Sequence, residues 1–181
     1  GRLDRIDRAV TKRAASPALK PRLLDIGCAY GPFLQAARDR GYEVFGVDVA
    51  ADPIRYVTKE LGIDAVQSEV ERFVPEEHGR DRFDVATLWY VIEHFEDLGG
   101  FLEQARRLVG PGGILAFSTP NLAGVSGRTD RRRFLERSPT DHYTVLSPRS
   151  AKAALARHGF SVESIRITGH HPERFPLLGA F

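Results

Sequence analysis

The chain has no methionine and only one cysteine, Cys28, among its 181 residues. A single cysteine rules out an internal disulfide framework and fits a reducing, cytoplasmic setting. Long apolar runs are also missing. The longest, 110–117, falls far short of the roughly 20 residues that span a bilayer, and no secretory signal is expected. No membrane span is expected. Charge of neither sign is in excess: 26 basic residues face 24 acidic ones, a net charge of +2. Nothing global therefore pulls the chain toward nucleic acid or an anionic membrane surface. Internal repeats and low-complexity segments are absent. The chain opens on Gly1 without a methionine, so residues are expected to be missing at either end.

What is present suits a globular fold, with 42% hydrophobic and 28% charged residues. The length fits a single domain over 1–181 built on one sizeable core. Helical spacing of Leu3, Ile6, Ala9 and Val10 predicts an N-terminal helix within 1–16, stopped by Ser16-Pro17. Short apolar runs predict strands at 22–26, 42–47, 63–66, 82–88 and 114–118, and alternation predicts a last strand at 160–168. Helices are expected at 32–40, 52–61, 98–109 and 147–158, with Asp52 as the cap of the second. Strands alternating with helices imply a doubly wound, mostly parallel sheet with helices on both faces, a Rossmann-like α/β fold. The stretch 119–146 shows no clear period and is long for a connection, which marks it as a functional loop or lid. Its basic run, Arg131-Arg132-Arg133 with Arg128 nearby, suits either a solvated face or a grip on an acidic substrate.

The chemistry-bearing segment follows the first strand: Asp25-Ile26-Gly27-Cys28-Ala29-Tyr30-Gly31-Pro32. Small residues at 27, 29 and 31 permit a sharp strand-to-helix turn and close approach of a ligand to the main chain. Asp25 decides what kind of ligand. A pyrophosphate at this turn would be repelled by a carboxylate, and Gly-x-Ala-x-Gly is not the spacing of a dinucleotide fold. A nicotinamide oxidoreductase is therefore disfavoured, and a phosphate-free ligand with a cationic end is favoured. A second acid, Asp48, ends the next strand, close to the roughly 20-residue offset at which such folds bind ribose hydroxyls. Taken alone, each feature also fits a structural turn or a solvated strand end.

Together these motifs resemble the class I S-adenosylmethionine-dependent methyltransferase family. Asp25 to Gly31 is similar to its glycine-rich first motif, with Ala29 in place of the usual middle glycine. Gly46-Val47-Asp48 is similar to its ribose-binding acidic motif. The resemblance implies a cofactor site formed by Asp25, Gly27, Cys28, Ala29, Gly31, Asp48 and Val49. It further implies Ser68, Glu69 and Val70 beside the adenine, and Leu88 and Trp89 beside the methionine part. Segments 83–94 and 108–115 resemble later motifs, while Ser118 to Asn121, His142 and Leu146-Ser147-Pro148 resemble a branch with ubiquinone-type O-methyltransferases and natural-product and sugar methyltransferases. The implied activity is methyl transfer from S-adenosyl-L-methionine to an oxygen of a small-molecule acceptor, releasing S-adenosyl-L-homocysteine. A non-catalytic cofactor-binding or scaffolding domain of a larger protein stays open.

Oxygen acceptors must lose a proton, for which histidine is the usual base near neutral pH. His94 and His142 are the candidate catalytic residues, ahead of Tyr143. Glu93-His94 resembles part of the acidic-histidine cluster of metal-dependent small-RNA methyltransferases. Those carry a further Glu and a second His where this chain has Tyr90 and Phe95. Two ligands are too few, so no metal is expected. The family's closing antiparallel strand is expected to be short or cut away, because only the proline-rich tail with His170-His171 follows Thr168.

Overall fold

The computed structural model describes residues 1–13 and 20–167. Its core is a sheet of five parallel strands: β1 (Arg22–Ile26), β2 (Glu43–Asp48), β3 (Ala65–Gln67), β4 (Val85–Trp89) and β5 (Ile114–Ser118). Their order is β3-β2-β1-β4-β5. The order reverses between β1 and β4, so their carboxyl ends frame the crevice where ligands bind in open α/β sheets.

The helices are α1 (Arg2–Arg13), α2 (Pro32–Asp39), α3 (Ala51–Lys59), α4 (Leu98–Val109), α5 (Val125–Thr129), α6 (Arg131–Glu136) and α7 (Pro148–Arg157). They cover both faces of the sheet. On one face Phe101, Leu102, Ala105 and Leu108 of α4 and Leu155 of α7 pack against Leu24, Phe45, Ala86 and Leu88. On the other, Leu3 and Ile6 of α1, Leu34 and Ala37 of α2, and Ile54 and Val57 of α3 pack against Leu23, Val44 and Val85. Adjacent strand residues thus feed two separate cores, as the two-residue pleat requires.

Helix ends follow local chemistry. Pro32 begins α2 behind Gly31, Asp97 caps α4 by accepting Gly100 N–H at 2.9 Å, and Ser147 with Ser150 forms a capping box on α7. The expected cap at Asp52 does not form. Ala50 occupies that position, and Asp52, one residue inside α3, pairs with Arg55 at 2.8 Å.

Two further expectations are corrected. Residues 160–167 form no strand. Phe160 N–H instead closes the end of α7 on Leu155 O at 3.0 Å, and Phe160 and Val162 pack against the core while Ile165 and Ile167 stay exposed. The rest of that expected strand, the Ser16-Pro17 stop, and His170-His171 lie outside the described residues. The 119–146 stretch is not purely a loop but holds α5 and α6, whose only buried residue is Gly127. Helices this short, with no apolar face to bury, leave no period to read. Among the described residues no helix is long and apolar enough to cross a membrane.

Candidate active site

The crevice starts at the turn between β1 and α2. Gly27 (φ 69°), Ala29 (φ 47°) and Gly31 (φ 75°) are all left-handed. Gly27 and Cys28 N–H both donate to Val47 O, at 2.8 and 3.2 Å, which locks the turn onto β2. Glycine is required at 27 for a second reason: a Cβ there would come within 2.4 Å of Val91 Cγ2. The small residue at 27 is therefore demanded by packing on the β4 side as well as by backbone sign.

Asp48, at the end of β2, holds the mouth of the turn. Its Oδ2 accepts Ala29 N–H at 2.8 Å and its Oδ1 accepts Ala50 N–H at 2.9 Å. Each carboxylate oxygen has a second lone pair left for a hydroxyl donor. Val49 beside it is exposed, and Ser68 N–H bonds back to Asp48 O at 3.0 Å, placing the β3 exit next to the β2 end.

Asp25 lies deeper, 2% exposed on β1. Its register partner on β4, Thr87, donates a hydroxyl hydrogen bond to Oδ1 at 2.6 Å. Burial pushes the Asp25 carboxyl up to about 7; the Thr87 bond opposes this, Asp48 adds to it, and Arg2 opposes it weakly. An acid so placed gains most from a cationic partner.

A separate cavity of about 1430 Å³ runs along edge strand β5, from Arg82 and Gly110 at one end to Trp89, Tyr90, Thr119 and Asn121 at the other, with Arg2 and Phe134 also lining it. The Arg2 guanidinium lies over the Trp89 ring at 4.4 Å. Trp89 Nε1 and Thr119 Oγ1 are both buried with no hydrogen-bond partner among the described residues. Tyr90, which follows β4, is left-handed at φ 61° with its N–H on Ser118 O at 2.9 Å. Strained non-glycine backbone of this kind concentrates at functional sites.

The other connection at this end of the sheet carries His94 in a 3-10 turn, Ile92–His94. The 139–146 segment is stitched to it: Thr144 N–H donates to Glu93 O at 3.0 Å, and Thr144 Oγ1 to Phe95 O at 3.3 Å. That brings His142 edge-on to His94, with ring centroids 4.9 Å apart. His94 Nδ1 lies 3.1 Å from Asp141 O and 3.2 Å from Asp141 Oδ2.

A family model described as a methyltransferase domain matches residues 2–165. The chain belongs to this methyltransferase family. Its fold is that of class I S-adenosylmethionine-dependent methyltransferases. The chain is similar to a ubiquinone biosynthesis O-methyltransferase of Aeromonas salmonicida, 29% identical over 147 residues, covering 76% of this chain and 60% of that protein. A namesake from Rhodopseudomonas palustris (strain HaA2) is 36% identical over 105 residues, covering 55% and 40%. The chain thus spans about half the length of the curated relatives it matches. Among solved structures, a SAM-dependent methyltransferase from Archaeoglobus fulgidus shares the fold at TM-score 0.65 and 22% identity, covering 89% of this chain and 70% of that one. The cyclopropane synthase MmaA2 from Mycobacterium tuberculosis does so at TM-score 0.67 and 21% identity, covering 90% and 61%.

In this methyltransferase domain the residues expected at the cofactor, apart from the half-buried Trp89 at the end of β4, fall into two groups. Gly27, Ala29, Gly31, Asp48, Val49, Ser68 and Glu69 gather on the loops at the carboxyl ends of β1, β2 and β3. Asp25, Cys28, Val70 and Leu88 are buried in the packed interior, so Cys28, Val70 and Leu88 have side chains in the core and only backbone to present to a ligand. Burial pushes the Cys28 thiol up to about 12. Glu69 pairs with Arg72 at 3.1 Å on the surface. Tyr143 is exposed, its phenol raised by a hydrogen bond to Glu96. Arg132 pairs with Glu136 at 2.7 Å on α6. Sequence reasoning missed Arg2, Thr87, Thr119 and Asp141. Thr87 is visible only through the β1–β4 register, and Arg2 and Asp141 only once α1 and the 139–146 segment are placed. The expectation of no metal rested on a count of two ligands, and folding raises that count: Glu93, His94 and His142 come together, their ligating atoms within 4.8 Å of one another.

Proposed function

We propose that this domain, acting as one unit, methylates an oxygen of a small-molecule acceptor and releases S-adenosylhomocysteine. The observation that carries the reading is the joint placement of Asp25 and Asp48. One is a buried acid lacking a full counter-charge; the other is a strand-end carboxylate with lone pairs to spare, across a left-handed turn free of phosphate-binding character. These features fit a nucleoside with an ammonium-bearing tail. Asp48 would hold the ribose hydroxyls, the turn backbone would flank the tail, and Asp25 would favour its cationic end. Ser68, Glu69 and the Val70 N–H would flank the base. When bound, S-adenosylmethionine supplies a methyl group on a positively charged sulfur, already activated for in-line displacement.

The chain's own task is then to position and shield the acceptor. Trp89 Nε1 and Thr119 Oγ1 are buried beside the cavity with unmet hydrogen-bonding capacity, so a polar acceptor group that reached them would gain from it. His94 and His142, on the same end of the sheet, serve the acceptor oxygen and its proton. Oxygen as the target draws support from the relatives' names as O-methyltransferases. A nucleic-acid acceptor is disfavoured by the near-balanced charge and by the Arg132–Glu136 pairing within the basic run. The lone buried thiol of Cys28 suits a cytoplasmic setting.

The test uses S-adenosylmethionine labelled in the methyl group and a panel of hydroxyl-bearing small molecules. Label is expected on oxygen. His94→Ala and His142→Ala are expected to slow transfer while leaving S-adenosylhomocysteine affinity within about twofold. Label found only on nitrogen or carbon would overturn the oxygen assignment.

A further inference from the structure

The segment between β5 and α7 leaves the fold through a closed neck: Leu122 N–H donates to Leu146 O at 2.9 Å, and Asn121 bridges to Leu146. Beyond that neck α5 and α6 bury only Gly127 and add no residue to either core. They form a protrusion, and its surface is basic. Residues 123–145 hold five arginines and three acids, and each acid is already engaged. Asp130 Oδ1 caps α6 by accepting Arg133 N–H at 2.9 Å, Glu136 pairs with Arg132 at 2.7 Å, and Asp141 Oδ2 lies 3.2 Å from His94 Nδ1. Arg128, Arg131, Arg133 and Arg137 are exposed, with no carboxylate partner among the described residues. Val125 and Leu135 stand exposed on the same two helices.

Uncompensated like charges this close repel one another and attract an anionic surface. Val125, Ser126 and Phe134 line the cavity beside β5, and these four arginines do not. Their charge therefore lies on the outer surface and not in a small-molecule pocket. Successive helical residues turn by about 100°, so Arg131 and Arg133 spread apart instead of closing on one phosphate. A membrane would gain little apolar area from helices of five and six residues. Near-balanced net charge disfavours nucleic acid. We propose that the α5–α6 protrusion docks an acidic protein surface, with Arg128, Arg131, Arg133 and Arg137 paired to its carboxylates and Val125 and Leu135 covered between them. Guanidinium forks match carboxylates bidentately, and arginine beside apolar side chains is a composition that protein interfaces favour. The far end of the protrusion carries His142 to His94, so docking bears on the acceptor end of the site.

The full chain is titrated into a fluorescein-labelled peptide of about 20 residues, mostly glutamate with interspersed leucine, and anisotropy is read at about 150 mM salt. Saturable binding is expected. The triple variant Arg131→Glu, Arg133→Glu, Arg137→Glu should weaken it about 10-fold or more, and the same charge change at Arg8, Lys12 and Lys59 less than about 2-fold. S-adenosylhomocysteine affinity, measured in parallel, should be unchanged in both variants and shows that each is folded. Should the triple variant not fold, the single changes Arg128→Glu and Arg131→Glu should each weaken the peptide about 3-fold. Absence of saturable binding overturns the proposal, as does an equal loss in the two triple variants. Tighter binding to phosphatidylglycerol vesicles or to an oligothymidylate than to the peptide, lost in the α6 variant, also overturns it and assigns the surface to lipid or nucleic acid.

Discussion

Thr87 Oγ1 donates to Asp25 Oδ1 at 2.6 Å across the β1–β4 pair, so the buried acid of the glycine turn is held by a hydroxyl and not by a cation. The Asp25 carboxyl sits near 7, above its ordinary 3.8, because burial disfavours its charge. A raised carboxyl contributes stability that is fully present below pH 3.8 and is lost as pH rises through about 7. Urea unfolding of the apo chain should therefore show this group's contribution falling between pH 4 and 7. Asp25→Asn should remove that part of the pH dependence, with a ceiling of about 4 kcal/mol. A cationic ligand favours the ionised form, so S-adenosylmethionine affinity should rise through the same window and lose that rise in the variant.

Asp48→Ala should weaken S-adenosylhomocysteine by about 1–3 kcal/mol, through lost hydrogen bonds to hydroxyls. Calorimetric titration checks this. The variant also frees Ala29 and Ala50 N–H, so its melting temperature is recorded alongside. Unchanged affinity would take Asp48 out of the site.

Gly27→Ala meets two obstacles, a left-handed φ of 69° and Val91 Cγ2 at 2.4 Å from the new Cβ. Denaturant unfolding should show a loss of about 1–3 kcal/mol. Combining it with Val91→Ala should recover only the steric part. Full recovery would show that the backbone sign carries no cost.

Trp89→Phe deletes a buried N–H that has no partner among the described residues. Stability should stay within about 1 kcal/mol or rise, since no hydrogen bond is lost. Acceptor KM should increase if that N–H serves the substrate. A large stability loss with unchanged KM would assign Trp89 to packing against Phe33, 4.9 Å away.

Cys28 is 3% exposed, with its thiol pushed up to about 12. Ellman's reagent should modify it at pH 8 only at the rate of unfolding, because little thiolate exists and none is reachable. Rapid labelling of the native chain would contradict its place in the core.

Much of this architecture could be read from one dimension. The strands at 22–26 and 114–118 and the helix at 98–109 have the expected bounds, since each is a continuous apolar run or 3.6-residue stripe bounded by glycine, proline or a capping acid. The Gly27–Gly31 turn and Asp48 were legible for a related reason: local backbone chemistry and strand-end position are properties of neighbouring residues. The strand expected at 160–168 illustrates the limit. Alternation describes which side chains can face a core, but pairing depends on what lies beside β5.

The amino-acid order thus determined most of the element order, the parallel sheet and the two acids near the carboxyl ends of β1 and β2, because periodicity and turn propensity act over a few residues. Only folding decided that Thr87 faces Asp25, that Arg2 lies on Trp89, and that His142, far along the chain, joins Glu93 and His94 with one side-chain atom of each within 4.8 Å of the others. Those are meetings of side chains distant in the chain, set by strand register and by a few backbone hydrogen bonds between loops, and no local pattern encodes them.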